Sequence, residues 1–339
     1  MYKAGASTIA WIETGALPMP VGSVLGRIDT VGVNDGVLYA AGWTNAGGWW
    51  SPRIWSYNPG TNAWTDCGDP APGWNGCNSW EIQGTSQLVS LNNVLYVCLG
   101  YWNRGYDGSA GGVFSFSGGT TWVRCGSPGG SYGLGCRSFT TDGTALYTTV
   151  IQDGGAPEDR KVWRWTSGTS WADIGSSGGV DGQSYVFNHG TAIFSASKGS
   201  TRANDRIATW AGGTSWTDVG KPTHSNAGYN LGSASDGSQL YIGHVPDSAH
   251  LPEIFAYSAP STWVAKGTLN LNGATSVKGM LFHGTDIFAG STSDDVEKLT
   301  PPSTTWVSQS KPLAGSATLS GASLSGVLYF NTSGKVYHS

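Results

Sequence analysis

A tryptophan returns seven times along this 339-residue chain, each time inside the same short phrase. The seven are Trp11 in AWIETG, Trp64 in AWTDCG, Trp122 in TWVRCG, Trp171 in SWADIG, Trp216 in SWTDVG, Trp263 in TWVAKG and Trp306 in TWVSQS. Successive spacings are 53, 58, 49, 45, 47 and 43 residues, and the path from Trp306 through the C-terminus to Trp11 is another 44. The repeat closes on itself. Units of about 40–50 residues with one tryptophan each restrict the chain to a set of small, similar building blocks packed side by side.

Each block reads as four strands. An aliphatic–aromatic pair (Leu38-Tyr39, Leu95-Tyr96, Leu146-Tyr147, Ile193-Phe194, Leu240-Tyr241, Ile287-Phe288, Leu328-Tyr329) follows a turn such as NDG (34–36), TDGT (141–144) or SDGS (235–238). Asx-Gly turns tolerate the positive φ that tight hairpins require. A third strand follows at 53–58, 112–117, 161–166, 206–211, 253–258, 295–300 and 335–339, and a further turn leads to the strand that carries the tryptophan. Large and small side chains alternate along these runs, as strands packed against a neighbouring sheet do. The pattern predicts an all-β, seven-bladed β-propeller over residues 1–339, with four antiparallel strands per blade. The last unit stops after its third strand, while residues 7–15 are a fourth strand without the preceding three. Pairing them closes the ring, so loss of residues 1–15 is expected to destabilise all of it.

The first full unit resembles the kelch repeat: YNPGTNAW (57–64) matches its hairpin, and the likeness extends as motif over units one and two. The paired glycines that end the second kelch strand are reduced to Gly42, Gly100 or Gly290, or are absent. The hairpins at 117–122, 167–171 and 212–216 also resemble the Asp-box of sialidases without its aspartate. Both likenesses imply architecture; an Asp-box is a structural hairpin and implies no catalysis.

Composition narrows the function. Charged residues are 12% of the chain against 52 glycines and 17 tryptophans, and the net charge is −4. With 18 basic residues scattered over seven units, nucleic-acid binding is not expected. No apolar run approaches a membrane span. The N-terminal segment has no hydrophobic signal core, so either a leader is lost or release occurs without one, as for a phage particle protein freed by lysis.

Cys67 and Cys125 sit three residues after their tryptophans, and Cys77 and Cys136 follow ten and eleven residues later. Two readings stay open: loop-closing disulfides Cys67–Cys77 and Cys125–Cys136, or small buried apolar residues. Cys98 reads as a free core thiol. No spacing points to zinc, and no cofactor is expected. His189 and His283 occupy hairpin-turn positions and read as turn chemistry. His244 and His250 flank one loop without further metal-site support. Arg27 and Arg137 fall at inner strands, with Asp29, Glu81 and Asp181 as possible carboxylates. They lack the third arginine and the partnered acid that a sialidase-like enzyme needs, so an enzyme ranks last.

Once the repeated aromatics are set aside, a surplus remains in units one and two. It comprises Trp43, Trp49 and Trp50 in one loop, Trp74 in the link, Tyr101, Trp102, Arg104, Tyr106 and Asp107 in the next loop, and Tyr132 beyond. These connections leave a blade on the same face, so the surplus is expected to gather in one sector. Exposed aromatic rings among Asn, Asp and Arg suit stacking on sugars, and equally a protein contact. The expected role is a non-catalytic module that binds a glycan or cell-surface receptor, outside the cell or on a virion. The alternatives are docking or assembly in a virus (phage) particle, and a glycan-processing enzyme.

Overall fold

The computed structural model describes residues 9–71, 87–99, 112–129, 135–151, 161–178, 184–197, 206–222, 232–244, 251–269, 277–291, 296–309, 318–332 and 334–339. They form 28 strands in seven four-stranded antiparallel sheets arranged in a ring, a seven-bladed β-propeller without helices. Blade one holds β2 (Val24–Asn34), β3 (Val37–Ala46), β4 (Trp49–Asn58) and β5 (Ala63–Asp66). The following blades begin at the innermost strands β6 (Gln87–Leu91), β10 (Gly135–Thr141), β14 (Ser184–His189), β18 (Ser233–Ser235) and β22 (Val277–His283). Blade seven joins β26 (Thr318–Leu324), β27 (Val327–Thr332) and β28 (Val336–His338) to β1 (Ile12–Glu13) from the other end of the chain. Ile12 pairs with His338 and Glu13 with Tyr337, and the Thr14 amide donates to Val336 O at 3.0 Å. The closure expected from the sequence is present.

Among the described residues, seven apolar clusters each fill one gap between adjacent blades. Between blades one and two, for example, Tyr39, Ala41 and Ile54 meet Leu95, Val97 and Phe114. Blades seven and one meet through Ala322, Leu324 and Tyr329 against Ile28, Leu38, Trp55 and Trp64. A sheet packed on both faces needs apolar side chains at successive positions, which is why Leu38, Tyr39, Ala40 and Ala41 are all buried.

The repeated tryptophan has a single job around the rim. Trp122 Nε1 donates to Cys67 O of the preceding blade, Trp171 to Cys125 O, Trp216 to Ile174 O, Trp263 to Val219 O, Trp306 to Lys266 O and Trp11 to Gln309 O, at 2.7–3.1 Å. The acceptor is always the residue three after the preceding blade's tryptophan. The seventh link completes the circle through a side chain: Trp64 Nε1 donates to Thr14 Oγ1 at 3.0 Å. One position further on is a glycine. Gly68, Gly126, Gly175, Gly220 and Gly267 take φ of 71–95°, and a Cβ on any of them would run into a backbone carbonyl of the next blade, as at Gly175, 2.6 Å from Thr214 O.

This repeat corrects the cysteine expectation. Cys67 and Cys125 are free and buried. They occupy the position held by Ile174 and Val219 in blades three and four, which is 3–5% exposed in all four. They pack as small apolar side chains, and burial pushes both thiols up from their ordinary pKa. Cys98, read as a free thiol, is instead disulfide-bonded, with a partner outside the described side chains.

Candidate functional site

Blade one holds the longest strands among the described residues. Its first three strands run 11, 10 and 10 residues, against three to seven in the corresponding described strands elsewhere. The ends of these three strands form a ledge on the face where the inner strands begin. This ledge pairs Val24 with Asn45 and Asn45 with Trp50, and its tip pairs Ala46 with Trp49. A bulge between Leu25 and Arg27 leaves Gly26 unpaired, and the Trp50 ring lies where a Gly26 side chain would be. Trp50 is thereby half-buried, and the ledge is braced at its root.

The structure separates the three tryptophans expected there. Cross-strand partners share a face and successive residues alternate. Trp43, Asn45 and Trp50 therefore face blade two, and Trp49 faces the opposite way. Trp43 is 0% exposed, so its reading as an exposed stacking residue is overturned. Its Nε1 donates to Asp29 Oδ2 at 2.8 Å, which gives the ring a polar anchor inside the wall of the blade. Trp49 is 53% exposed. Val24 at 64% and Val21 beside the ledge at 105% are also open to solvent. Trp74, Tyr101, Trp102, Arg104, Tyr106, Asp107 and Tyr132 lie outside the described residues.

Below the ledge the seven innermost strands enclose a central cavity of about 370 Å³. Its walls differ. Blades one to four contribute Asp29, Gln87, Arg137, Tyr185 and Asn188, whereas blades five to seven contribute Met280 and otherwise only small residues, Gly232, Ser233, Gly279, Ser320 and Gly321. Arg27 Nε lies 2.6 Å from Asp29 Oδ1, so the one carboxylate among the described lining residues meets a guanidinium on one oxygen and an indole on the other. Arg137 Nη1 donates to the Tyr185 hydroxyl at 3.4 Å, and its guanidinium lies 5.6 Å from the centre of the same ring. Polar ties cross between blades along this wall, including Ser138 Oγ with the Val186 amide, Thr140 Oγ1 with Asn188, and Ser320 Oγ with Thr30. Sequence reasoning placed Arg27 and Arg137 at inner strands and named Asp29 as a possible carboxylate; Gln87 and Tyr185 were missed, because nothing local distinguishes an inner-strand Gln or Tyr from a core one.

His189 and His283 sit at the opposite ends of their strands, where each Nδ1 lies 2.8 Å from a serine Oγ of the next blade, Ser235 and Ser323. They are inter-blade ties. Among the described residues no group of three or more His, Cys, Asp or Glu is placed to hold a metal ion.

No protein-family model matches the chain, and no curated protein does. Solved structures share its shape. A catalytically inactive virginiamycin B lyase from Staphylococcus aureus with quinupristin superposes with a TM-score of 0.66 at 10% identity, covering 97% of this chain and 98% of that one. A xyloglucanase from Xanthomonas campestris gives 0.60 at 15% identity, over 97% of this chain and 53% of the other. YCF48 from Cyanidioschyzon merolae gives 0.58 at 11% identity, over 97% and 98%. At these identities the likeness is one of fold: the chain is a propeller, and its site must be read from its own residues.

Proposed function

We propose that this propeller is a non-catalytic recognition module that binds a glycan on the face carrying the blade-one ledge. The observation that carries the reading is Trp49, half-exposed at the tip of a braced three-stranded ledge. A ring held out by paired strands is pre-organised, so a sugar stacking on its face immobilises little of the protein. The turn behind the ring is itself fixed, since Asn45 Oδ1 accepts from the Gly48 amide at 3.1 Å. A xyloglucanase propeller of the same fold adds only that such a ring can serve sugar chemistry.

The exposed Val21 and Val24 favour a second reading, a protein partner, since aliphatic side chains bury well against protein and offer little to a sugar. The Cys98 disulfide supports a place in an oxidising environment, outside the cell or on a particle released from it. A glycan array probed with the purified chain and with Trp49→Ala decides between the readings. Selective binding that is lost in Trp49→Ala upholds the glycan; a blank array gives the ledge to a protein partner.

A further inference from the structure

The central cavity has features that the ledge reading does not use. At about 370 Å³ it lies near the lower end of the roughly 300–1,000 Å³ range of small-molecule pockets. Several polar groups on its wall keep hydrogen-bonding capacity after the inter-blade ties are made. The Tyr185 hydroxyl accepts from Arg137 and has its own proton to give. Gln87 uses its amide nitrogen toward Arg137 O at 3.4 Å, and its amide oxygen is left over. The Ser233 hydroxyl makes no bond among the described residues. All three residues are partly exposed on the cavity, Gln87 and Tyr185 on one side and Ser233 on the other, where Gly232, Gly279 and Gly321 also line it. Arg137 adds a donor, while the Asp29 carboxylate is taken up by Arg27 and Trp43.

The shape follows from the sequence. If blades five to seven carried inner-strand side chains as large as Arg137 and Tyr185, they would fill the centre. Instead Gly232, Gly279 and Gly321 bring the backbone to the cavity surface. The glycines also let neighbours close in, since a Cβ on Gly232 would meet Val277 Cγ1 at 2.8 Å and one on Gly321 would meet Leu281 Cδ2 at 2.6 Å. One wall thus carries the larger polar side chains, and the other carries glycines with Ser233, Met280 and Ser320.

We infer that the cavity is a second binding site, distinct from Trp49, for one small neutral polyhydroxylated molecule of monosaccharide size. Mixed donors and acceptors without a dominant charge match hydroxyl groups, which both give and take hydrogen bonds. Asp29 is held between Arg27 and the Trp43 indole and Arg137 lies against Tyr185, so neither charge dominates the open wall. This inference does not depend on the ledge binding a glycan.

Ligand-observed saturation-transfer NMR tests it, with the intact chain and millimolar glucose, galactose, mannose and N-acetylglucosamine as separate probes. Transfer to at least one hexose is expected. Ser233→Leu fills the cavity without removing an inter-blade bond and should weaken that signal at least about tenfold. Tyr185→Phe should weaken it about threefold or more through the lost hydroxyl, and guards against misfolding of the filled variant. All signals are read in a Trp49→Ala background, which removes any hexose bound at the ledge, and the cavity's signal should persist there. No transfer from any of the four hexoses overturns the inference, as does a signal unchanged in Ser233→Leu or abolished in Trp49→Ala. A blank glycan array with this signal retained removes the ledge reading alone; the converse removes the cavity alone.

Discussion

The outer rim and the inner edge of the ring are drawn from the same seven repeats and follow opposite rules. At the rim every blade repeats one geometry: an indole N–H reaches back to the preceding blade, and in five blades a positive-φ glycine lets the next blade's backbone approach. At the inner edge comparable positions hold Gln87, Arg137, Tyr185, Gly232 and Gly279, with no shared chemistry. The rim repeats because each blade must fit its neighbour the same way. The inner edge contacts the cavity as well as its neighbours, so it is free to vary. The lesson is that residues obeying the period report the scaffold, and residues breaking it are where a function is to be sought.

The sharpest way to break this comparison is at the rim glycines. Gly175→Ala forces an alanine to φ 85° and drives its Cβ against Thr214 O. The expected loss is about 3 kcal/mol, part conformational and part steric. Gly118 has a similar φ of 97° with nothing within 4 Å of where a Cβ would sit, so Gly118→Ala should lose only about 1 kcal/mol. Urea unfolding of both variants checks this. Equal losses would mean that φ alone, rather than the approach of the next blade, selects glycine.

The ring's closing link should be the next most sensitive point. Six tryptophans donate to a backbone carbonyl, which no substitution can remove, but Trp64 donates to the Thr14 side chain, which in turn donates to Val336 O. Thr14→Val keeps the shape and strands the buried indole N–H, at an expected loss of about 2 kcal/mol, whereas Thr14→Ser should recover most of it. Thermal unfolding of the two variants reads the difference; a valine variant as stable as the parent would show that the closing strand is held by its β1–β28 pairing alone.

How far the sequence disclosed the molecule follows from the same contrast. The blades, their strand order and the closing strand were legible because each rests on a periodic signal: Trp171 and Trp216 announce strands of the same kind by recurring in like surroundings. The ledge was half legible. Three tryptophans near one turn marked blade one as unusual, but which of them is buried depends on what β2 packs beneath them, Asp29 under Trp43 and Gly26 under Trp50, and the sequence does not show that register. Trp43 therefore reads as an exposed ring in the sequence, although Asp29 fourteen residues earlier holds it in the wall. The cavity was the least legible part. Gln87 and Tyr185 are brought together across blades by ring geometry, at a separation no local motif records.

Where the rim of blade one gives way to the link, Asp69 tests electrostatics that neither region repeats. Burial pushes its carboxyl up to about 6, against the opposing effects of a hydrogen bond from the Ala71 amide and of Arg53. Because the folded pKa lies above the unfolded one near 3.8, the stabilising contribution is complete below pH 3.8 and is lost as pH rises through about 6. Two pKa units correspond to about 3 kcal/mol, and the partial exposure of the side chain reduces this to about 1–2 kcal/mol. Asp69→Asn keeps the Oδ1 acceptor and has no charge to bury. It should exceed the parent by that amount at pH 7 and match it below pH 4. A constant difference across the pH range in paired denaturation curves would exclude desolvation as the cause.

The smallest effect concerns the cysteines, and it tests whether the rim's rule extends to chemistry as reactive as a thiol. If Cys125 is only an apolar filler at the position that Ile174 holds one repeat away and Val219 two, Cys125→Val should change stability by less than about 1 kcal/mol. Loss of a loop-closing disulfide would instead cost about 3 kcal/mol. A thiol count follows from the same assignment. Cys67 and Cys125 are free and Cys98 is bonded, so five cysteines leave three titratable thiols in the denatured, unreduced chain. A count of one would restore disulfides at the rim, and a count of five would remove the Cys98 bond together with the support it lends to an oxidising environment. The valine variant and the thiol count are independent, because the first reads packing and the second reads connectivity. A neutral Cys125→Val with three thiols would show that the period had already classified this residue: a position filled by isoleucine and valine elsewhere in the ring asks for a small apolar side chain, and cysteine supplies one.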